Sequence, residues 1–321
     1  MMQAANRDFD LNIEKVLDGW SVSHAVRELI ANALDEQTLS GTDPIEIARI
    51  GQGIWSIRDF GRGLRHTHLT QNENLEKNGR EGGVIGRFGV GLKDALAVLD
   101  RRGIDVRLRS AHGEISLVHQ VKAGFSDVTT LHARITPPQD LAMAGTEVKI
   151  TGIDDGAVEQ AQGFFLRFSG DEVIETTKIG QILRRRAKAS ARIYVNGLAV
   201  AEEPEFAFSY NVTALTQAMR KALNRERTNV GRTAYGERVK AMLLAAASAA
   251  VVDELVQEVA MLGAGTSHEE VRIWGDVALR ACQLVNARRS VVFVTAEQLV
   301  ADKEMVDRAV STVSRQPDSG I

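Results

Sequence analysis

The chain has 321 residues and a formal net charge of −3, with 44% hydrophobic and 25% charged residues. This length allows two folded domains, and the slightly acidic balance argues against a protein that binds nucleic acid over its whole surface. Because Cys282 is the single cysteine, no disulfide can form within the chain, which is typical of a reducing compartment. The first ten residues lack the apolar core of a signal peptide, and no apolar run is long enough to span a bilayer. We therefore expect a cytoplasmic protein with no membrane partner.

The first half of the chain carries helical and strand patterns in turn. Apolar residues recur at helical spacing from Ala25 to Leu34, and either Ser21 or Ser23 could cap this helix. Residues 61–91 are rich in glycine and asparagine and have little apolar periodicity, which predicts a long functional loop. The other patterns predict a helix over residues 92–99 and strands over residues 45–50, 54–59, 104–109, 114–121, 128–135 and 147–150. This mixture is typical of an α+β sandwich.

The second half is predicted to be a smaller α/β domain. A glycine-rich stretch at residues 152–156 is a plausible boundary, so we expect domains over residues 1–155 and 156–321. Asn196-Gly197 is typical of a two-residue hairpin turn. The remaining patterns predict strands over residues 192–196, 198–200, 206–209 and 290–294, one long helix over residues 235–261, and a frayed polar end over residues 311–321.

Glu28, Asn32 and Asp35 are spaced by four and three residues in the first predicted helix. This spacing puts the three side chains on one face of the helix. An amide oxygen between two carboxylates suits Mg²⁺, and a carboxylate can polarise an attacking water. The alternative is a solvated helix face with no ligand.

Asp59, Gly61 and Gly63 follow directly after a predicted strand. A carboxylate at the end of a strand can accept a hydrogen bond from an exocyclic amine such as that of adenine. The glycines would let the backbone approach a flat ring closely. The alternative is a tight turn with no ligand.

Gly86, Gly89 and Gly91 precede the predicted helix over residues 92–99. Glycines before a helix N-terminus can bind an anion, because backbone N–H groups and the helix dipole both favour phosphate. Lys93 could reach the same phosphate, or it could be an ordinary exposed lysine. Thr146, after Gly145, could help to hold a base, although this pair alone indicates little.

These four motifs occur in a fixed order between residues 28 and 146, and the order resembles that of the GHKL ATPase superfamily. That superfamily includes gyrase, heat-shock chaperones, sensor kinases and MutL. The resemblance covers roughly residues 10–155 and does not extend to the second half. Its N box is matched by Glu28, Asn32 and Asp35, its first glycine box by Asp59, Gly61 and Gly63, its second by Gly86, Gly89 and Gly91, and its closing threonine by Thr146.

The resemblance implies a Bergerat sandwich that binds ATP and Mg²⁺. It implies that Asn32 ligates the metal, that Asp59 and Thr146 read the adenine, and that residues 65–90 form a mobile lid. Glu28 is similar to the water-activating base of gyrase, MutL and heat-shock chaperones. Sensor histidine kinases typically lack this base and place a phospho-acceptor histidine before the ATP domain. Only His24 precedes the boxes here, so an ATP hydrolase is favoured over a kinase.

A basic segment stands out in the second half. Residues 178–240 hold 13 Lys and Arg against 5 Asp and Glu, most densely at residues 184–188. This segment could contact phosphate backbones, or it could be a solvated or salt-bridged face. A polar loop around Arg225 and Arg227 resembles the heat-shock chaperone loop that sends an arginine to the γ-phosphate. The alternative is that these arginines only pair with carboxylates such as Glu226.

From these motifs we expect slow Mg²⁺-dependent ATP hydrolysis that drives lid closure and dimerisation. Such a chaperone-like or MORC-like ATPase would release ADP and act on a protein client through a homodimer. Two alternatives remain at this point. One is an ATPase that acts on nucleic acid, favoured by the basic segment. The other is a nucleotide sensor that does not hydrolyse ATP, against which the intact Glu28 argues.

Overall fold

A computed structural model describes residues 7–11, 19–70, 84–86, 91–122, 124, 126–223, 230–261 and 267–288. The chain divides into two compact units, each formed by three separate segments of the sequence. The first unit comprises Met1–Gly170, Tyr194–Val200 and Thr213–Val230. The second comprises Asp171–Ile193, Ala201–Val212 and Gly231–Ile321.

The first unit contains an antiparallel sheet of seven strands in the order β1-β6-β5-β4-β7-β3-β2. Its strands are β1 (Arg7–Asp10), β2 (Glu46–Gly51), β3 (Ile54–Arg58), β4 (Asp105–Ser110), β5 (Gly113–Val121), β6 (Thr129–Thr136) and β7 (Thr146–Thr151). All six strands predicted for this half are confirmed, each within one residue at either end. The edge strand β1 was not predicted, because it has only four residues and no clear alternation.

Helices pack against this sheet through one apolar core, which confirms the mixed α+β class. They are α1 (Val22–Ser40), α2 (Thr67–Thr70), α3 (Gly91–Arg101), α4 (Asp155–Gly163) and α5 (Leu166–Ser169). The first unit also contains α6 (Gln217–Ala222). Helix α1 packs against α3, α4 and β3, while α3 packs against β4. Helical residues Ile30 and Leu96 share a core with strand residues Val106 and Ile150, and all four are fully buried. Burial of this apolar surface fixes α1 and α3 on the sheet.

The sequence determines both ends of α1. Ser21 is the N-cap, and its side chain accepts from the backbone N–H of His24, whose ring in turn accepts from the backbone N–H of Ser21. Of the two predicted caps, Ser21 is therefore the one used. Gly41 ends the helix in the left-handed conformation at φ 66° and donates to the carbonyl of Gln37, as a C-terminal glycine commonly does.

A second sheet has five strands in the order β11-β10-β12-β9-β8. These are β8 (Val173–Thr176), β9 (Gly180–Arg184), β10 (Ala191–Val195), β11 (Leu198–Glu203) and β12 (Phe208–Val212). The predicted hairpin is confirmed: Asn196 and Gly197 join β10 to β11 with φ of 48° and 81°, as the favoured two-residue turn requires. The third predicted strand is present but begins two residues later than expected, at Phe208.

The prediction of one long helix over residues 235–261 is wrong. The structure has two helices, α7 (Arg232–Ala245) and α8 (Ala249–Met261). Between them Ala246 is extended, with ψ 139°. The carboxylate of Glu175 accepts from the N–H groups of Ala247 and Ser248 at 2.7 and 3.1 Å, so it binds the start of α8. A contact distant in sequence thus overrides the helix propensity of an alanine-rich run.

Two shorter elements complete the described part of the second unit, α9 (Glu269–Arg272) and α10 (Gly275–Arg288). The predicted strand at residues 290–294 and the predicted frayed end at residues 311–321 lie outside the described residues. Within the part of the chain that the structure describes, no helix has both the length and the apolar character needed to cross a membrane.

The densest part of the basic segment is engaged within the second unit. Arg184 pairs with Glu172 at 2.7 Å, and Arg186 pairs with Asp171. Arg185 donates to the carbonyl of Phe206 and contacts a ring nitrogen of the His268 imidazole. These contacts agree with the alternative in which the arginines make salt bridges.

Glu270 is a fully buried carboxylate on α9. It accepts from the N–H groups of Ala207 and Phe208 and from the hydroxyl of Tyr210. These hydrogen bonds hold α9 against the start of β12. Burial nevertheless raises the pKa of Glu270 to about 7, because loss of hydration outweighs the hydrogen bonds to the charged form.

We expect Glu270 to make the stability of the chain depend on pH. Its pKa is higher in the folded state than in the unfolded chain, so its contribution is present below about pH 4.5 and lost as the pH rises to about 7. Relative to Glu270→Gln, the free energy of unfolding of the wild type should fall by about 3 kcal/mol over this range. Denaturant titrations at several pH values measure the free energy of unfolding. Glu159→Gln is the control, because Glu159 is exposed. Parallel pH profiles for the wild type and Glu270→Gln would contradict the assignment.

Candidate functional site

The polar stripe on α1 is the centre of the candidate site. Glu28 and Asp35 are almost completely buried, and Asn32 between them is half-buried. Burying two carboxylates on one helix is costly unless each receives donors. The partners of these carboxylates therefore show what the stripe is built to hold.

Glu28 is held by the residue next to it. The guanidinium of Arg27 donates through Nε and Nη2 to Glu28 Oε1 at 3.2 and 3.0 Å. Arg27 is itself fully buried, and its guanidinium lies 5.3 Å from the ring centre of Trp20 and 5.5 Å from that of Phe164. Stacking on two rings fixes the guanidinium, and the guanidinium fixes the carboxylate.

The second oxygen of Glu28 faces the N-terminus of α3. A Cβ atom added at Gly91, the first residue of α3, would lie 2.6 Å from Glu28 Oε2. Only glycine leaves room for the carboxylate at this distance. Lys93 lies in the first turn of the same helix and is half-buried. The structure thus brings Glu28, Gly91 and the start of α3 together.

Asp35 binds the backbone of the segment formed by residues 84–86, which we call the glycine segment. Its two carboxylate oxygens accept from the N–H groups of Ile85 at 2.6 Å and Gly86 at 2.8 Å. Asp35 was predicted to contact a cofactor, and the contacts described for it are instead with the protein backbone. Through them it fixes the start of the second glycine motif beside α1.

Asp59 lies directly after β3. It is 5% exposed; Oδ1 accepts from the N–H of Gly61 at 2.9 Å, and its own N–H donates to the carbonyl of Thr146 at 3.0 Å. Burial raises the pKa of Asp59, partly opposed by the hydrogen bond from Gly61 and reinforced by the nearby charge of Glu36. A carboxylate of raised pKa is a good acceptor for an amine donor.

Thr146 connects the two loops around Asp59. Its hydroxyl accepts from the N–H of Leu64 at 2.9 Å. Gly145 before it has φ 76°, and a Cβ atom there would overlap the carbonyl of Asp59. The predicted pair Gly145-Thr146 therefore lies directly against Asp59, Gly61 and Gly63, although the two motifs are more than eighty positions apart in the sequence.

The sequence analysis missed Glu36. Its carboxylate accepts from the backbone N–H of Arg62 at 2.8 Å and from the Arg62 side chain at 2.9 and 3.0 Å. A Cβ atom at Gly61 would overlap its side chain. Burial alone would raise the pKa of Glu36, but hydrogen bonds from Arg62 and Ser40 outweigh it and hold the pKa at about 2. Its position directly after Asp35 gave no signal of this role, because the partner is distant in sequence.

Several predicted site features fall on residues that the structure does not describe. Gly89, Arg225 and Arg227 lie outside the described residues, as does most of the predicted lid over residues 65–90. Within the described residues, no group of three or more His, Cys, Asp or Glu side chains could hold a metal ion. The amide of Asn32, beside the Glu28 carboxylate, fits a divalent ion whose other ligands are phosphate and water oxygens.

A relative of this chain is known in Mycoplasma pneumoniae (strain ATCC 29342 / M129 / Subtype 1). That uncharacterized protein is 35% identical over 243 residues, which cover 74% of this chain and 96% of the relative. The chain belongs to the family of that protein. Residues 156–249 of the present chain match the family model described as the Mycoplasma pneumoniae MPN635 N-terminal domain. A second uncharacterized protein of the same strain is 27% identical over 110 residues, 34% of this chain and 31% of that protein.

Two solved structures are similar to part of the chain. One is the ATPase region of Saccharomyces cerevisiae topoisomerase II, with 9% sequence identity and a TM-score of 0.36. The similarity covers 55% of this chain and 61% of that chain. The other is the same region bound to ICRF-187 (dexrazoxane), with 10% identity and a TM-score of 0.34. The chain thus spans less than two thirds of either solved chain.

Proposed function

We propose that the first unit is a GHKL-type nucleotide site that binds ATP with Mg²⁺ and hydrolyses it slowly. One observation carries the proposal. On a single stripe of α1, the Glu28 carboxylate lies against the first residue of α3, while Asp35 fixes the glycine segment that leads to the same helix. A carboxylate that would serve as the general base thus lies beside a helix N-terminus, where a phosphate group binds best.

The phosphate chain would lie at the start of α3. Backbone N–H groups at a helix N-terminus and the helix dipole both favour an anion. Gly86, Gly89 and Gly91 would let the backbone approach the phosphate oxygens, and Lys93 would add a positive charge. Asp35 would act on the nucleotide through the backbone that it holds.

The adenine ring of the nucleotide would lie between Asp59 and Thr146. The carboxylate of Asp59 would accept from the exocyclic amine of adenine, and the loop around Gly61 and Gly63 would lie along the ring. Asp59 retains acceptor capacity besides its bond to Gly61, since an ionised carboxylate has about four lone-pair sites. Glu36 and Arg62 would keep this loop in place.

Asn32 would hold Mg²⁺ through its amide oxygen, and the ion would neutralise charge on the phosphates. Glu28 would take a proton from the attacking water. Arg27 would orient this carboxylate through its two hydrogen bonds to Oε1, leaving Oε2 toward α3. The proposed role of Arg225 or Arg227 at the γ-phosphate remains a prediction on residues outside the described part.

Hydrolysis would act as a conformational switch. ATP binding would close residues 65–90 over the site and favour a homodimer in the cytoplasm, and the second unit would pass the change to a protein client as a transducer. Support for a switch comes from the site's construction, since the glycine segment and the loop containing Arg62 both bind carboxylates of α1. The partnered state of Arg184 and Arg186 gives no support to nucleic acid as the client.

Glu28→Gln should separate hydrolysis from binding. Glutamine keeps an acceptor for the buried Arg27, whereas alanine would remove a buried ion-pair partner and destabilise the fold. We expect the ATPase rate to fall by about 10²–10⁴ while ATP affinity stays within about threefold. Steady-state phosphate release and calorimetry measure the two quantities, with the exposed Glu46→Gln as matched control. A turnover that stays within about threefold of the wild type would exclude Glu28 as the base and favour a sensor that does not hydrolyse ATP.

Asp59→Asn should weaken ATP binding. The asparagine Oδ1 can still accept from Gly61, but its amide group places a donor where the base needs an acceptor. Because a hydrogen bond to a charged group contributes about 1.5–3 kcal/mol, affinity should fall roughly ten- to hundredfold. Asp105→Asn, on the exposed part of β4, is the control. If calorimetry gives equal ATP affinity for Asp59→Asn and wild type, Asp59 does not read the base.

A further inference from the structure

The hairpin between β10 and β11 reaches back to the candidate site. Its tip, Tyr194–Val200, belongs to the first unit although it follows the site by many residues in sequence. Leu166 donates to the carbonyl of Gly197, and Ala199 donates to the carbonyl of Phe164, both at 2.8 Å. These bonds fix the tip on residues 164–166.

The tip is also anchored by apolar contacts. Leu198 and Phe165 form an isolated β-bridge and are 2% and 1% exposed within the core of the first unit. The same short segment supplies Phe164, one of the two rings that flank Arg27. The position of the hairpin tip is therefore determined by the residues that surround the proposed catalytic carboxylate.

From this anchored tip, Asn196 binds the glycine segment. Its amide Nδ2 donates to the carbonyl of Val84 at 2.9 Å, across 112 positions of sequence. Val84 is 4% exposed, and a carbonyl in a buried residue is stabilised by such a donor. The next two residues, Ile85 and Gly86, donate to Asp35. Asn196 thus donates to a carbonyl of the glycine segment, while Asp35 accepts from two of its N–H groups.

We propose that Asn196 is a positioning residue for nucleotide binding: it holds the glycine segment in the form that receives phosphate. The inference rests on the proposed function and adds a residue that none of the four sequence motifs contains. It also means that the motif-bearing first 155 residues lack one of the side chains that shape the site. Asparagine suits the position doubly, since it tolerates the left-handed φ of 48° and carries a donor.

Two variants test the side chain without straining the turn. Asn196→Asp keeps the shape and the tolerance for positive φ but cannot donate to Val84. Asn196→Gly keeps the turn and removes the side chain. Lys188→Gly is the control, because Lys188 is exposed, also has a positive φ of 62°, and belongs to the second unit. Alanine is unsuitable, since its strain would confuse loss of the bond with loss of the turn.

The first readout is hydrogen exchange of the whole 321-residue chain without nucleotide. In both Asn196 variants, the exchange rate of the Ile85 and Gly86 amides should rise about two- to tenfold, as expected for the loss of one hydrogen bond. Exchange over Thr146–Thr151 should not change. An unchanged rate at Ile85 and Gly86, or an equal rise over Thr146–Thr151, would overturn the positioning role.

The second readout is ATP affinity by calorimetry with Mg²⁺ present. Affinity should fall about two- to tenfold in both Asn196 variants and stay at the wild-type value in Lys188→Gly. If the wild type binds ATP and the Asn196 variants bind it equally well, the inference fails while the proposed function stands. If the wild type does not bind ATP, the proposed function fails, and exchange alone decides whether Asn196 holds the glycine segment.

Discussion

Glu28, Asp35 and Glu36 are acidic side chains withdrawn from water on one helix, and each needs donors to replace the hydration that it has lost. Glu28 receives them from Arg27, Asp35 from the backbone of the glycine segment, and Glu36 from Arg62. Arg27 lies on α1 itself, whereas the donors to Asp35 and Glu36 come from two separate loops of the first unit. Hydrogen bonding to these two carboxylates therefore holds both loops against α1.

The sheet supplies the other half of the constraint. Strands β3 and β7 are paired neighbours, so the loop after Asp59 and the start of β7 at Thr146 meet without any further device. Gly145 lets these two backbones approach closely, because the Cβ atom of any larger residue at this position would overlap the backbone of Asp59. One wall of the proposed site is thus fixed by strand pairing, and the other by buried charge. A flexible ligand such as a nucleotide gains affinity from walls that are already in place.

Periodicity predicted α1 and six of the seven strands of the first sheet from sequence because apolar alternation and helical spacing are local signals. The grouping of Glu28, Asp59 and Thr146 into one site came from the resemblance to a known family and stays a prediction. Contacts between distant residues escaped it: Asp35 binds backbone, Glu36 binds Arg62, and Asn196 binds Val84. The break before α8 was missed for the same reason, since it depends on the carboxylate of Glu175.

The central claim is that the first unit is a nucleotide site, and calorimetric titration of the full chain with ATP measures this most directly. The account predicts saturable binding of one ATP per chain, weakened when EDTA removes Mg²⁺, and much weaker binding of GTP, whose base lacks the exocyclic amine in the position that Asp59 would read. A chain that circular dichroism shows to be folded, yet that shows no saturable binding up to about 1 mM ATP, would contradict it.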